Sequence, residues 1–266
     1  MNGISPKAFE SVTRLFHRVS GIKLGENKQA LVSGRLQKLA LESGERDVDA
    51  YVDRLVNGQA PQAEMTRVID RLTTNETYFF REPQHFNDLK QRLLSHKSDQ
   101  PLRVWSAASS SGEEAYSVAM LMADGLDQQP WEVWGTDLST AMVDSARRGL
   151  YPLERARMVP PDYLRRFCLK GQGPHEGQLL VSKPLRGRTQ FQAANLMQDL
   201  PNLPQFDVIF LRNVLIYFDN DAKAQIVRRV LQQLKPDGVL YTGHAESLTG
   251  LNLPVRTLTT AIHGHA

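Results

Sequence analysis

From residue 102 onward, short apolar runs alternate with stretches of helical periodicity, and a chain patterned in this way has few means of burying itself. Leu102–Ala107 reads as a strand and residues 113–123 as a helix; residues 131–136 and Thr140–Arg148 repeat the pair. Thr189–Ala193, residues 207–211 and residues 238–243 are further strands, with a helix at about 221–234 before the last. Strands separated by helices imply a parallel sheet covered on both faces. Residues 150–188 break the alternation with polar, Gly- and Pro-bearing sequence that is too long for a simple connection, so an inserted subdomain is expected there.

The first seventy residues lack strands. Ser5 and Pro6 form an N-cap and first-turn pair, Phe9, Val12, Leu15, Phe16 and Val19 recur at helical spacing, and Gly21 stops the run. Further helices are expected at 27–41, across Val48, Tyr51, Val52, Leu55 and Val56 to the stop at Asn57-Gly58, and at Gln62–Leu72. The organisation expected is a helical domain over 1–72, a linker and cleft segment over 73–100, and an α/β domain over 101–266 carrying its insert at about 150–188. A length of 266 residues accommodates this division.

Composition removes several function classes. Cys168 is the only cysteine, which excludes a disulfide framework, a thiolate metal site and a three-cysteine iron–sulfur cluster. A net charge of +3 argues weakly for nucleic acid or membrane. No stretch approaches the ~20 apolar residues of a bilayer span, and residues 1–10 lack a signal-peptide core, so a cytoplasmic protein without membrane insertion is expected. His17, His85, His96, His175, His263 and His265 show no metal-ligand spacing, and no metal is expected.

The segment Ser106-Ala107-Ala108-Ser109-Ser110-Ser111-Gly112-Glu113-Glu114 joins the first strand to its helix. Small residues there let backbone approach a ligand, as in nucleotide-binding βαβ units, yet the dinucleotide glycine pattern is absent. A carboxylate pair at the helix start repels phosphate and suits a cation. S-adenosylmethionine carries a sulfonium and an ammonium and no phosphate, which favours it over a nicotinamide cofactor. Asp137 ends the second strand, where an acid accepts hydrogen bonds from ribose hydroxyls. A cap for the following helix is the competing reading of Asp137.

Four blocks resemble the chemotaxis receptor methyltransferases of the CheR type. They are Thr74-Asn75-Glu76-Thr77-Tyr78-Phe79-Phe80-Arg81-Glu82; the run from Ala107 through Glu113-Glu114-Ala115-Tyr116-Ser117; Arg212-Asn213-Val214-Leu215-Ile216-Tyr217-Phe218-Asp219; and Leu234-Lys235-Pro236-Asp237-Gly238 followed by Gly243-His244-Ala245-Glu246-Ser247. The blocks stand in the family's order and reach from the helical region nearly to the C-terminus. Ala115 stands where proline is frequent, and serines stand where the family can carry cysteine. The resemblance implies a Rossmann-like class I methyltransferase sheet, seven-stranded and mostly parallel, with an N-terminal helical domain and a small antiparallel β-insert.

It further implies that Asn75, Thr77 and Arg81 line the cofactor and substrate cleft and that Glu113 and Asp137 hold cofactor. Asn195 and Leu196 would contact the adenine, Arg212 and Asn213 would close the cofactor site, and Arg81 and Tyr217 would assist transfer. The implied reaction is formation of glutamate γ-methyl esters on chemoreceptors, leaving S-adenosylhomocysteine. A glutamate carboxylate is ionised at neutral pH, so no general base is required.

Between residues 27 and 41 the only charges are Lys28, Arg35 and Lys38, which fall within about 80° on a helical wheel together with Leu31. Such a face suits the acidic methylation helices of a receptor, or is a basic solvated surface. The insert offers an edge for a receptor tail peptide. A monomer is expected. Two rival readings remain, a methyltransferase of this fold for another acceptor and a non-catalytic cofactor-binding sensor. The Asn/Asp-Pro-Pro-aromatic motif of base-amino methyltransferases is absent after the fourth strand, where Arg212-Asn213-Val214-Leu215 stands, so no nucleic-acid acceptor is expected.

Overall fold

The computed structural model describes residues 3–95, 99–126 and 129–266. Two compact units emerge, one formed by Met1–Thr74 with Tyr217–Ala222 and the other by Asn75–Ile216 with Lys223–Ala266.

The first unit is built by α1 (Pro6–Ser20), α2 (Gln29–Glu42), α3 (Val48–Val56) and α4 (Gln62–Leu72). Local sequence sets their ends. The Ser5 hydroxyl accepts from Ala8 N, Gly21 closes α1 in the left-handed conformation at φ 75°, and the Asp47 carboxylate caps α3 through Ala50 N. Each helix buries one stripe, including Val12 and Phe16 of α1, Leu36 and Leu39 of α2, Tyr51 and Val52 of α3, and Val68 and Leu72 of α4. Lys28 lies in a short 3-10 turn ahead of α2 rather than on it, so the wheel that joins it to Arg35 and Lys38 does not run unbroken. The guanidinium of Arg35 turns onto the end of α4, donating to the carbonyls of Leu72 at 2.9 Å and Thr73 at 3.2 Å. The residues Tyr217–Ala222 return to this unit, where Lys23 N donates to Tyr217 O at 3.2 Å and the Lys23 ammonium lies 3.1 Å from Asp219.

In the second unit α5 (Pro83–Ser95) occupies nearly half of the segment read as a linker. Pro83 opens it and Phe86, Leu89 and Leu93 form its buried stripe. There follow β1 (Leu102–Ala107), α6 (Glu113–Gly125), β2 (Trp131–Asp137) and α7 (Thr140–Arg148). The insert supplies β3 (Leu150–Pro152), α8 (Pro161–Phe167), β4 (Cys168–Lys170), β5 (Gln178–Val181) and α9 (Lys183–Gly187). The chain then continues through β6 (Thr189–Ala193), β7 (Phe206–Leu211), α10 (Asn220–Leu231), β8 (Leu234–Thr242), β9 (Val255–Thr259) and β10 (Ile262–His265).

Seven strands form the main sheet in the order β6-β2-β1-β7-β8-β10-β9. Those from β6 to β8 are parallel, and β10 enters antiparallel between β8 and β9. The expected architecture is borne out, including the insert, whose three strands pair antiparallel in the order β3-β5-β4. The two last strands went unread because β9 is almost wholly exposed and shows no alternation. Helix α6 is buried on nearly every side, from Ala115 to Met122, because the sheet lies on one face and α5 packs on another.

Gly135 in β2 is required by packing. A Cβ there would lie 2.4 Å from the Phe191 ring and 2.9 Å from Ser109 Oγ, the ring belonging to β6 and the hydroxyl to the loop after β1. Gly135→Ala is therefore expected to destabilise the protein by ~1–3 kcal/mol, the ordinary cost of forcing an extra methyl into a packed interior. Urea unfolding followed by circular dichroism should show a lower midpoint with an unchanged slope.

Candidate functional site

The parallel strands end in register. Ala107 pairs with Thr136 on one side and with Leu211 on the other, and Asp137 pairs with Ala193. The chain leaves β1 towards β2 on one side while β7 lies on the other, so the loops after β1, β2, β6 and β7 open together where the strand order reverses. In an open α/β sheet this is where a ligand is held. Among the described residues seven non-glycines adopt positive φ, and five of them lie here: Phe80 and Glu82 before α5, Ala108 and Ser110 after β1, and Asn213 after β7. Left-handed backbone costs free energy without glycine and persists where surrounding contacts over-determine it, a common property of ligand sites.

The loop after β1 is pinned from below. Asp137 is 7% exposed, its Oδ2 accepting from Ser110 N at 2.8 Å and its Oδ1 from Ser139 N at 2.9 Å. The cap of α7 is Ser139, whose hydroxyl accepts from Met142 N. Asp137 thereby braces the loop after β1 against the segment that opens α7. The buried hydroxyl of Ser109 has no hydrogen-bond partner among the described residues. Gly112, at φ 95°, lets the loop turn into α6 under Ala146 and Tyr151, where a Cβ would have no room.

The two glutamates at the start of α6 are engaged. Glu113 is wholly buried, with Arg155 Nη1 donating to its Oε1 at 2.5 Å and Ser111 Oγ to its Oε2 at 2.7 Å. Arg155 belongs to the insert, so a residue that sequence spacing does not reach faces the acid expected to meet an ammonium. Glu114 accepts from Ser106 Oγ at 2.7 Å, and burial pushes its pKa up.

Arg212 follows β7 with its side chain fully buried. Its guanidinium lies 3.3 Å from both Glu82 Oε2 and Glu114 Oε2, donates to the carbonyl of Arg81, and sits over the rings of Phe86 and Phe210. Burial opposes ionisation of Glu82, but a hydrogen bond from Asn213 Nδ2 at 3.1 Å and the charge of Arg212 outweigh it and hold its pKa below the usual value. Asn213 N and Gly243 N each donate to Glu246 Oε2 at 2.7 Å, fixing the loops after β7 and β8 on one carboxylate.

Of the segment before α5, Asn75 and Thr77 are half-buried, and the Asn75 carbonyl accepts from Ser110 Oγ at 3.1 Å, tying this stretch to the loop after β1. Arg81 donates to the Glu76 carbonyl at 3.1 Å and lies 5.8 Å from the Tyr78 ring, with no ion pair among the described residues. Glu82 turns to Arg212, and Asp88 to Arg92 and the Tyr241 hydroxyl. Asn195 accepts from Met197 N at 2.9 Å just past β6, and the buried Leu196 gives its carbonyl to Arg229 at 2.7 Å. Tyr217, Lys28, Arg35 and Lys38 belong to the first unit. Lys28 is exposed, as is Lys38, which lies 3.8 Å from Glu42.

His85 and His244 come together beside Glu82, far from each other in sequence. Burial pushes the pKa of His85 down to about 4, aided by the charge of Arg212. His96 lies outside the described residues.

The donor set fits an S-adenosyl group: Asp137 and the unpartnered Ser109 hydroxyl suit ribose hydroxyls, and the acid-rich start of α6 discourages phosphate. Residues 75–262 match the family described as CheR methyltransferase, SAM binding domain, and residues 7–73 match CheR methyltransferase, all-alpha domain. Among curated proteins, the chemotaxis protein methyltransferase of Salmonella typhimurium is 38% identical over 251 residues, covering 93% of this chain and 86% of that protein. The chemotaxis protein methyltransferase of Escherichia coli is 38% identical across 93% of this chain and 87% of its own length. Chemotaxis protein methyltransferase 2 of Pseudomonas aeruginosa is 35% identical over 97% of this chain and 92% of its own.

Removing Asp137 takes away a charged acceptor in a nearly dry site, a loss of about 1.5–3 kcal/mol. Asp137→Ala is expected to weaken S-adenosylhomocysteine roughly ten- to a hundredfold in calorimetry while the far-UV spectrum stays native. Unchanged affinity would take Asp137 out of the site.

Proposed function

This chain belongs to the CheR methyltransferase family, and on that basis we propose that it esterifies glutamate side chains on the cytoplasmic methylation helices of chemoreceptors. It is a methyltransferase that uses S-adenosylmethionine, and its curated relatives are chemotaxis enzymes. The observation that carries the finer reading is the state of Arg81. It stands in the segment bonded to the loop after β1, and neighbouring carboxylates do not neutralise it, since Arg212 and Arg92 take them.

When bound, S-adenosylmethionine supplies an electrophilic methyl group. The protein's task is to bring an ionised acceptor carboxylate out of water and hold it in one orientation. Arg81 serves this through a single hydrogen bond to one oxygen, because a bidentate clamp would draw charge from the attacking oxygen. Asp137 and the backbone it pins form the cofactor floor, with Asn195, Leu196 and Asn213 at its sides. Asn75 and Thr77 line the same opening. Glu113 would hold the cofactor's ammonium, giving up part of its contact with Arg155. Arg212 acts on the site indirectly, by holding Arg81 through its carbonyl. Tyr217 is the second residue we assign to transfer, orienting the acceptor carboxylate.

Recognition of an acidic receptor helix falls to Lys28 and Lys38, both exposed, with Arg35 bracing α2 against the end of α4. A receptor tail peptide finds an unpaired strand edge in the insert, where β4 is terminal and Leu169 is 59% exposed. The enzyme acts in the cytoplasm as a monomer. For a base-methylating enzyme, by contrast, the loop after β7 would have to offer a pocket for a flipped base, and here Arg212 fills that position with buried ion pairs.

The product label should be a carboxyl methyl ester. Receptor-containing membranes labelled by tritiated cofactor are expected to release nearly all counts as volatile methanol in mild alkali, and counts that stay on the acceptor would refute the glutamate assignment. Charge reversal tests recognition without disturbing the cap on α4. The double variant Lys28→Glu, Lys38→Glu is expected to raise the KM for receptor several-fold and leave cofactor affinity unchanged. Raising salt from 0.1 to 1 M, which shrinks the Debye length from ~10 to ~3 Å, should reduce methylation by the parent more than by the variant. Equal salt sensitivity would assign these lysines to ordinary solvated surface.

A further inference from the structure

We propose that Glu82, His85 and His244 form a binding site for one divalent transition-metal ion of borderline softness, of the zinc, cobalt or nickel class. The inference is independent of the methyl-transfer reading, and none of the three ligands is a residue assigned to cofactor or acceptor. Glu82 immediately precedes α5, His85 lies in its first turn, and His244 follows β8. Glu82 Oε2 is 3.5 Å from His85 Nδ1 and 3.9 Å from His244 Nδ1, and one ligand atom from each residue lies within 4.8 Å of the others. A tetrahedral zinc ion bound at about 2.0–2.2 Å separates its ligand atoms by about 3.3–3.6 Å, so the cluster needs only small side-chain adjustments to close around an ion.

His85 is the second observation. It is 1% exposed, and neither ring nitrogen has a hydrogen-bond partner among the described residues. Buried polar side chains ordinarily find a partner. The approach of Nδ1 to Glu82 at 3.5 Å is too long and poorly directed to count as one. An ion between them would use that nitrogen and Glu82 Oε2, which accepts no hydrogen bond among the described residues and faces Arg212 at 3.3 Å. The other Glu82 oxygen is held by Asn213, which orients the carboxylate for single-oxygen ligation, as outer hydrogen bonds do in metal sites.

Arg212 adjoins Glu82 on one side and faces Glu114 on the other, so its charge is shared between two acidic side chains rather than directed wholly at the site. The side chain of His244 is 40% exposed, which gives an entry path and leaves a coordination position open to water. Two imidazoles and one carboxylate with an open position form the ligand set of several zinc and non-haem iron sites. The lack of thiolates excludes the softest ions.

The test uses the full-length chain after chelator treatment and dialysis, titrated with cobalt(II) and then with zinc. Expected are visible d–d bands that saturate at one cobalt per chain and vanish on zinc addition, with zinc raising the melting temperature. His244→Ala, an exposed change that should leave the fold intact by circular dichroism, is expected to weaken cobalt binding by at least about tenfold and to abolish the zinc shift. His85→Asn should do the same, and His175→Ala, on the exposed insert, should titrate like the parent. Absence of saturable bands in the parent, or equal titration curves for the parent and His244→Ala, would overturn the assignment and place any bound ion on other histidines.

Discussion

A single buried cation organises the edge of the sheet. The guanidinium of Arg212 has no access to water, and a charge so placed is tolerated only with close counter-charges and polar neighbours. It obtains them from three directions at once: Glu82 ahead of α5, Glu114 on α6 and the carbonyl of Arg81. The segment before α5, the start of α6 and the exit of β7 are distant in sequence, and this one group draws them together. The unfavourable backbone at Phe80 and Glu82 persists because leaving it would strand the guanidinium. The two carboxylates are not equivalent, since burial dominates at Glu114 and the contacts of Asn213 and Arg212 prevail at Glu82. Negative charge is therefore concentrated on the side of α5, next to His85.

The parts of this arrangement that could be read in the sequence are those governed by short-range pattern. The capped helices of the first unit, the parallel strands and the small-residue loop before Glu113 all follow from spacing along fewer than twenty residues. The stripe of Phe86, Leu89 and Leu93 in α5 is equally local, but it sits in a stretch dominated by motif residues that suggested a cleft segment. The exposed strand β9 offered no pattern to read. At the site, Asp137 stands at the strand end where the sequence put it. The partners of the glutamates could not have been found this way. Arg155 reaches Glu113 from the insert, and Arg212 reaches Glu82 across nearly half the chain, through side-chain geometry rather than spacing. His244 joins His85 by the same kind of route.

Satisfying buried acids from remote segments has a functional side. Asp137 holds the backbone N–H groups of Ser110 and Ser139, so it shapes the loop before any ligand arrives. Glu246 does likewise for the loops after β7 and β8. Such loops lose little further freedom on binding, and affinity is less eroded by ordering costs. Glu113 differs, because one of its oxygens is held by Arg155 from the insert and the other by Ser111.

The return of Tyr217–Ala222 to the first unit bears on how the protein is made. Translation delivers α1 to α4 first, and such units usually fold as they emerge. Here the helical unit gains two contacts late, because the backbone partner of Lys23 and the carboxylate that its ammonium meets are encoded some two hundred residues downstream. Until the ribosome has passed Ala222, the nascent helices lack that closing segment, and a gene truncated before it would yield an incomplete N-terminal unit as well as an incomplete sheet. Stop codons late in the reading frame thus damage the first-made part of the molecule, and grafting the helical unit onto another protein would require a second, discontinuous insertion.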